Sequence, residues 1–372
     1  MNQMVDTVKL LLTVRGPLGL RGDQFVPSVR DLVGGSSYGK ATLNPSPAYG
    51  KAGRYMPRLT LYKRPLKRGF SYTLAVEFSA PKLLFGNNFS ELTDQDFKPL
   101  LAALATKLYE LTGRRFAKQR LASAAISVWH PSKNIILDPT ACQTVFSAIA
   151  KLDVSRMYDV QRTDFRDGHA LHIHCNSVDL VFYDKLSDLR KAKVSGKRAI
   201  EKDSLVQLGL LEAIKRPAFE VLRYELRLVG KASIKRTYPN FEAWTFEDLF
   251  KARLCRDALL RRWQKLTASV DLLALDVKQP YELLQNYLKE NPKATPQAAM
   301  AATAGLLVAN QAGIAALRST LDAHYGVQAW YRIKPLLQSP QGHRFKHFQQ
   351  IENVLKEFAP ISANALKNIA NN

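Results

Sequence analysis

Cysteine is scarce. The 372 residues hold three, Cys142, Cys175 and Cys255, with no Cys-x-x-Cys pair. This excludes a disulfide framework and a zinc knuckle, and it suits a reducing compartment. Long apolar runs are missing too. The opening MNQMVDTVKLLLTV carries Asp6 and Lys9 among its apolar residues and reads as a strand, not a signal peptide. The alanine-rich segment from 294 onward is broken by Gln297, Asn310 and Gln311, which makes it a packed helix pair and a poor membrane span. Repeats and low-complexity tracts are absent. Acids are the last shortage: 32 stand against 54 Lys and Arg, a net charge of +22. That excess attracts phosphate backbones, or less often anionic membranes.

What is present is a folded composition, 46% apolar and 23% charged. Before residue 235, short β-rich runs recur: TVKLLLTV, RLTLY, YTLAVEF, AAISVWH, ALHIH, VDLVFYDK and FEVLRYELRLV. Two helices are expected among them, at about 94–112 and 140–151. After 240 the pattern is almost wholly helical, with Thr295-Pro296 as a helix start and Gly305 and Gly313 as interruptions. The expected fold is α+β. An antiparallel sheet with helices on one face (1–238) precedes an α-helical C-terminal domain (239–372).

Three of only seven histidines fall within six residues, at His169, His172 and His174. In a strand, residues two apart share a face. His172 and His174 can therefore reach one divalent ion, although a hairpin edge with two solvated histidines has the same sequence. The next strand puts Asp179, Tyr183 and Lys185 on one face and Val178, Leu180 and Phe182 on the other. Strand 221–228 sets Leu222, Tyr224, Leu226 and Leu228 against a polar row of Arg223, Glu225 and Arg227. That row is either a solvent face or a carboxylate flanked by phosphate clamps. LDVSRMYDV (152–160) is a further candidate strand, offering Asp159.

Residues 51–75 hold seven bases, no acids, and Tyr55, Tyr62, Phe70 and Tyr72. Charge of this kind gives salt-sensitive affinity, and aromatics can stack on unpaired bases. Arg58, Lys63, Arg64, Lys67 and Arg68 are the candidate DNA contacts there. Lys191, Lys193, Lys197 and Arg198 in the basic loop LRKAKVSGKR are others. SAPKLLFGNN reads as a turn around Gly86, with Lys82 a further candidate phosphate contact. In RLCRDALLRRWQKL, Leu254, Leu259, Leu260 and Trp263 mark a buried stripe with arginines on its solvated side. The Gly-linked pair around 300–322 suits either a helix-turn-helix or plain helical packing.

SAPKLLFGNNFSEL, DVSRMYD, VFYDKLSDL, VLRYELRLVG and FEDLFKA, occurring in this order over roughly residues 70–255, resemble the filamentous-phage gene II/X replication protein family, relatives of HUH-type rolling-circle initiators. The resemblance implies an RRM-like core and a nickase dependent on Mg²⁺ or Mn²⁺. Such an enzyme joins a tyrosine to a 5′ phosphate and frees a 3′ hydroxyl at an origin. Tyr183 is then the nucleophile and Lys185 its neighbouring cation, because a phenol with a pKa near 10 needs a cation or metal to react. Glu225 becomes a metal ligand, with Arg223 and Arg227 as phosphate clamps. His172-Ile173-His174 fits the two-histidine signature of the wider class. Tyr158 holds the place where the family's Ser-Arg strand carries its aspartate, and a one-residue offset turns Asp159 to the other face unless the strand bulges. Tyr158, Tyr224 and Tyr238 are rival nucleophiles, and strand parity turns Tyr224 to the core. The implied partners are single-stranded or supercoiled origin DNA, a host helicase and a host polymerase, in the bacterial cytoplasm and away from membranes. A non-catalytic DNA-binding protein and an RNA-binding or RNA-cleaving protein are the competing classes.

Overall fold

The computed structural model describes residues 5–16, 24–154, 161–188, 219–274, 279–338 and 345–362, apart from positions 36, 47, 50, 51, 166–169, 176, 177 and 242. The fold is α+β, with nine strands among the described residues: β1 (Val5–Val14), β2 (Gly39–Leu43), β3 (Arg58–Pro65), β4 (Phe70–Ser79), β5 (Ala125–Leu137), β6 (Gln161–Phe165), β7 (Ala170–Cys175), β8 (Val178–Asp184) and β9 (Glu220–Val229). It divides into two units. The first comprises Met1–Ile136, Ser177–Leu259 and Phe358–Asn372, and the second Leu137–Asn176 and Leu260–Glu357. Where one boundary was expected after 238, the division crosses the chain several times. Residues 358–362 belong with the sheet unit, and one boundary falls inside the helix Ala252–Leu266.

In the first unit the strands run in the order β2-β3-β4-β1-β5-β9-β8. The pairings β2–β3, β3–β4, β4–β1, β1–β5 and β8–β9 are antiparallel. Alternation splits the sheet into two faces. Leu59, Leu61, Leu74, Val76, Phe78, Val8, Leu10 and Leu12 are buried on one, each contributing roughly 1.5–3 kcal/mol. Phe246 closes that side, meeting Phe78, Phe97 and Trp129 edge-on at 6.0, 5.2 and 6.5 Å. Tyr224 lies on the same side, stacked on its cross-strand partner Phe182 at 4.6 Å, with its hydroxyl donating to the Leu259 carbonyl. The parity argument therefore holds, and Tyr224 is a core residue.

Other expectations change. β5 continues seven residues past His130 to Leu137, and the β1–β5 pairing slips between Trp129 and Pro131. A proline has no N–H for the ladder, so a slip at that point accommodates it. SAPKLLFGNN holds a short helix, Ala80–Phe85, as well as a turn. Gly86 ends the helix at φ 72°, and Asn87 Oδ1 accepts the N–H groups of Phe89 and Ser90. Residues 152–154 are not in a strand, and the rest of the expected 152–160 strand lies outside the described residues.

The second unit is mostly helical, with a β6–β7 hairpin. Helix Pro296–Ala312 is capped by Thr295 and runs straight through Gly305. Gly305 is thus no interruption: a Cβ there would lie 2.6 Å from Leu337 Cδ2, so the glycine makes room for the helix Val327–Leu337. Gly313, at φ 93°, does separate two helices. Among the described residues, no helix is long and apolar enough to cross a membrane.

Candidate active site

Five polar side chains of β8, β9 and the turn after β8 meet in the first unit. The Tyr183 hydroxyl donates to Glu225 Oε1 at 2.8 Å and accepts from Lys185 Nζ at 3.4 Å. Arg223 Nε donates to the same Glu225 oxygen at 3.3 Å, and Arg227 donates to Oε2 at 3.0 Å. The register makes this possible. Tyr183 pairs directly with Arg223 and Asp179 with Arg227, so residues alternating along both strands share one face. Lys185 joins them because β8 stops at Asp184. The Asp184 carboxylate caps the helix that begins at Lys185, accepting from Leu186 N and Ser187 Oγ.

This polar row is not a solvent face. Arg223 is 0% exposed, Lys185 1% and Glu225 2%. Asn134 Oδ1 accepts from Arg223 Nη1 at 3.0 Å, and Asp6 approaches Arg223 at 3.7 Å. Phe89 lies beneath Lys185, 5.8 Å from its ammonium. Asn134 is itself held by Phe89 and Glu91. Glu91 forms a buried pair with Lys133 and accepts Ile361 N, while Lys133 also donates to the Ala359 carbonyl. Residues 359–361 thereby close over the shell behind Arg223.

Burial sets the electrostatics. It pushes the Tyr183 phenol well above its usual value, and the Glu225 carboxylate adds to that. Lys185 falls to about 8, mainly from burial and then from Arg223. For Glu225, burial alone acts upward, but Arg227 and Arg223 overcome it and hold the carboxyl far below the usual carboxylate range. His130 on β5 was not foreseen. Burial lowers its pKa against the pull of Glu225, and its Nε2 is buried without a hydrogen-bond partner. Its only sequence signal was its place at the end of an apolar run.

The expected DNA contacts separate. Arg58, Arg64, Lys67 and Arg68 are exposed. Lys63 is a correction: it is 1% exposed and donates to the carbonyls of Leu32, Val33 and Gly35, finishing the helix Val29–Gly34. Strand parity sends it to the core side, where carbonyl oxygens rather than phosphates satisfy it. Lys82, 9% exposed in the helix Ala80–Phe85, is likewise largely removed from solvent. Arg223 is sealed, whereas the Arg227 side chain keeps 34% of its surface. Tyr238 is buried. Asp159, Tyr158, His169, Lys191, Lys193, Lys197 and Arg198 lie outside the described residues.

His172 and His174, in the second unit, share one face of β7, with rings 5.6 Å apart, while Leu171 and Ile173 are buried on the other. Two imidazoles one pleat apart have the donor chemistry for a divalent ion. Glu225 does not fit that role as arranged, because both its oxygens already serve Tyr183 and two guanidiniums. A scan of protein-family models, a search of curated proteins and a search of solved structures each returned no match.

Proposed function

We propose that the protein is a rolling-circle replication initiator with an HUH/RRM-like core, which nicks one DNA strand through Tyr183. One observation carries the reading: a tyrosine hydroxyl lies between a carboxylate at 2.8 Å and an ammonium at 3.4 Å, with Arg227 beside it and about one-third open to solvent. The net charge of +22 and the resemblance of the Tyr-x-Lys and Arg-x-Glu-x-Arg strands to replication initiators support it.

In this reading the Tyr183 oxygen attacks phosphorus and its proton passes to Glu225. The bond from phosphorus to the 3′ oxygen breaks, and that oxygen takes a proton from Lys185, whose pKa near 8 makes it a ready donor at neutral pH. Glu225 is a poor base while both arginines hold it. A phosphate drawing Arg227 away removes part of that restraint, so substrate binding itself prepares the base. His172 and His174 have the donor chemistry to hold a divalent ion, and Mg²⁺ or Mn²⁺ is the cofactor that this reading would require.

The test is a denaturing-gel assay for a covalent adduct, using single-stranded oligonucleotides from the protein's own replicon with Mg²⁺, Mn²⁺ or EDTA. A metal-dependent adduct that Tyr183→Phe abolishes is expected. An adduct that survives Tyr183→Phe, or none with any fragment, overturns the assignment. A second reading has its own observation: the Tyr183 phenol is held firmly protonated, as suits a DNA-binding protein that cuts nothing. Tight salt-sensitive binding without an adduct is its signature.

A further inference from the structure

The face of the sheet opposite the aromatic core extends well beyond Tyr183, across β9, β5, β1, β4 and β3 to β2. The register lays it out in rows. Lys40, Tyr62, Thr73 and Thr13 are successive partners across β2, β3, β4 and β1. Thr42, Thr60, Ala75 and Leu11 form the next row, and Arg58, Glu77 and Lys9 the one after. Every side chain in these rows except Ala75 is at least partly exposed, while the alternating residues of the same strands are buried. These rows are rich in small threonines, and the aromatic among them is Tyr62. The Arg64 guanidinium lies 4.9 Å from the Tyr62 ring centre and donates to Thr73 Oγ1 at 3.2 Å.

Charge on this face is one-sided. Its acids are already engaged: Glu77 pairs with Lys9 at 2.6 Å, and Asp6 accepts from Ser79 Oγ at 2.8 Å. Lys40, Arg58 and Arg64 remain exposed, and the β3–β4 turn continues outward with exposed Lys67 and Arg68. The far end of this face meets the candidate active site, because His130 is close enough to feel Glu77 and Asp6 on one side and Glu225 and Arg227 on the other.

We propose that this face is a platform for single-stranded DNA, with one base stacked on Tyr62 under Arg64 and the backbone held by Arg58, Arg64 and Lys40. A sheet face has nothing to insert into a duplex major groove, which takes a helix or a β-ribbon. Unpaired bases need only an aromatic surface and nearby cations. From β3 to β8 there are five strand steps, about 24 Å at the usual inter-strand spacing. That corresponds to about seven nucleotides at the rise of stacked bases, so a strand held at Tyr62 can extend to Tyr183. The choice of DNA over RNA rests on the nicking reading, while the platform itself rests on the exposed face.

The experiment measures fluorescence anisotropy of labelled single-stranded DNA, the matching duplex and RNA of the same sequence. It uses Tyr183→Phe protein so that no covalent step intervenes. Adding Tyr62→Ala is expected to weaken single-strand binding about tenfold, within the range for one lost base stack. Adding Arg58→Ala with Arg64→Ala is expected to reduce the salt slope by about two phosphate contacts. Arg253→Ala with Arg261→Ala, exposed arginines on another element, removes the same charge and is expected to change binding less than about twofold. Unchanged binding by Tyr62→Ala, equal affinity for duplex, tighter binding of RNA, or an equal loss in the control pair overturns the proposal. An absent adduct with the platform effects intact refutes only the nickase. An adduct with the platform effects missing refutes only the platform.

Discussion

Replacing Glu225 with alanine should show how much rests on one carboxylate. The substitution leaves Arg223, fully buried, with Asn134, the Asn88 carbonyl at 3.5 Å and Asp6 at 3.7 Å as its hydrogen-bonding and charged partners. Breaking a buried pair by removing one partner costs about 3–5 kcal/mol, because a charge stays uncompensated away from water. At about 2–4 °C per kcal/mol for a domain of this size, Tm should fall by roughly 6–20 °C. Removing both partners, as in Arg223→Met with Glu225→Leu, should recover most of the loss. Urea unfolding of the two single variants and the double variant measures the coupling. A loss below about 1 kcal/mol for Glu225→Ala would mean the network is not what holds Arg223. The same samples test the carboxylate as a metal ligand. A bound ion stabilises by mass action, so Mg²⁺ should raise the Tm of wild type and variant by the same increment. If the increment vanishes with Glu225, the carboxylate is a ligand after all. The pH sign agrees with its structural role. A carboxyl held far below its ordinary 4.5 contributes stability above that value. That contribution is lost as pH falls from about 4.5 through the lowered folded value.

Lys185 also has a lowered pKa, so its stability slope with pH has the same sign, but at neutral pH its contribution is a penalty. Its folded pKa of about 8, against 10.5 unfolded, penalises the folded state at neutral pH, so stability should rise between about pH 8 and 10 by up to roughly 3 kcal/mol; Lys185→Met should flatten that rise in pH-dependent urea unfolding. Lys63→Ala should destabilise by about 2–3 kcal/mol, since three carbonyls lose their donor, yet leave the salt slope of DNA binding unchanged when both are measured. Gly305→Val should cost about 1–3 kcal/mol by pushing against Leu337, read from thermal unfolding. Ending the chain after residue 357 should remove the Ala359 and Ile361 partners of Lys133 and Glu91, lowering Tm and speeding amide exchange of Asn134 and Phe89.

Strand periodicity made most of the sheet legible. Alternation in VDLVFYDK and VLRYELRLV correctly placed Phe182 and Tyr224 in the core and Tyr183, Arg223 and Glu225 together on the other face. It did not reveal that both faces of β9 are covered. The cover comes from Asn88, Asn134 and, behind them, residues 359–361, far apart in sequence with no periodic signal. β2 and β6 were missed because GKATL and QRTDF carry too little apolar alternation to register. The run of bases in 51–75 hid a difference that parity alone could expose. Arg58 and Arg64 fall on even positions facing outward, while Lys63 falls between them and faces in.

The charge of the cluster, set by burial, connects the structural and chemical roles. Lys185, Arg223 and Arg227 face two carboxylates, Glu225 and Asp6, while burial keeps His130 neutral and Tyr183 protonated. Asp188 also acts on Lys185, but it is exposed and screened by solvent. The sheltered groups thus carry one excess positive charge at neutral pH, matched to the single negative charge of a phosphodiester. Arg223 cannot move to meet it, because Asn134, Glu225 and the Asn88 carbonyl hold it. Arg227, still one-third exposed, can. Each step that Arg227 takes toward a phosphate also raises the basicity of Glu225, the group to which the proposed reaction assigns the Tyr183 proton. Above pH 8, Lys185 loses its proton. If the proposed nicking reaction holds, the excess charge and the donor for the 3′ oxygen then disappear together, so DNA affinity at the site and the nicking rate should decline along the same titration curve.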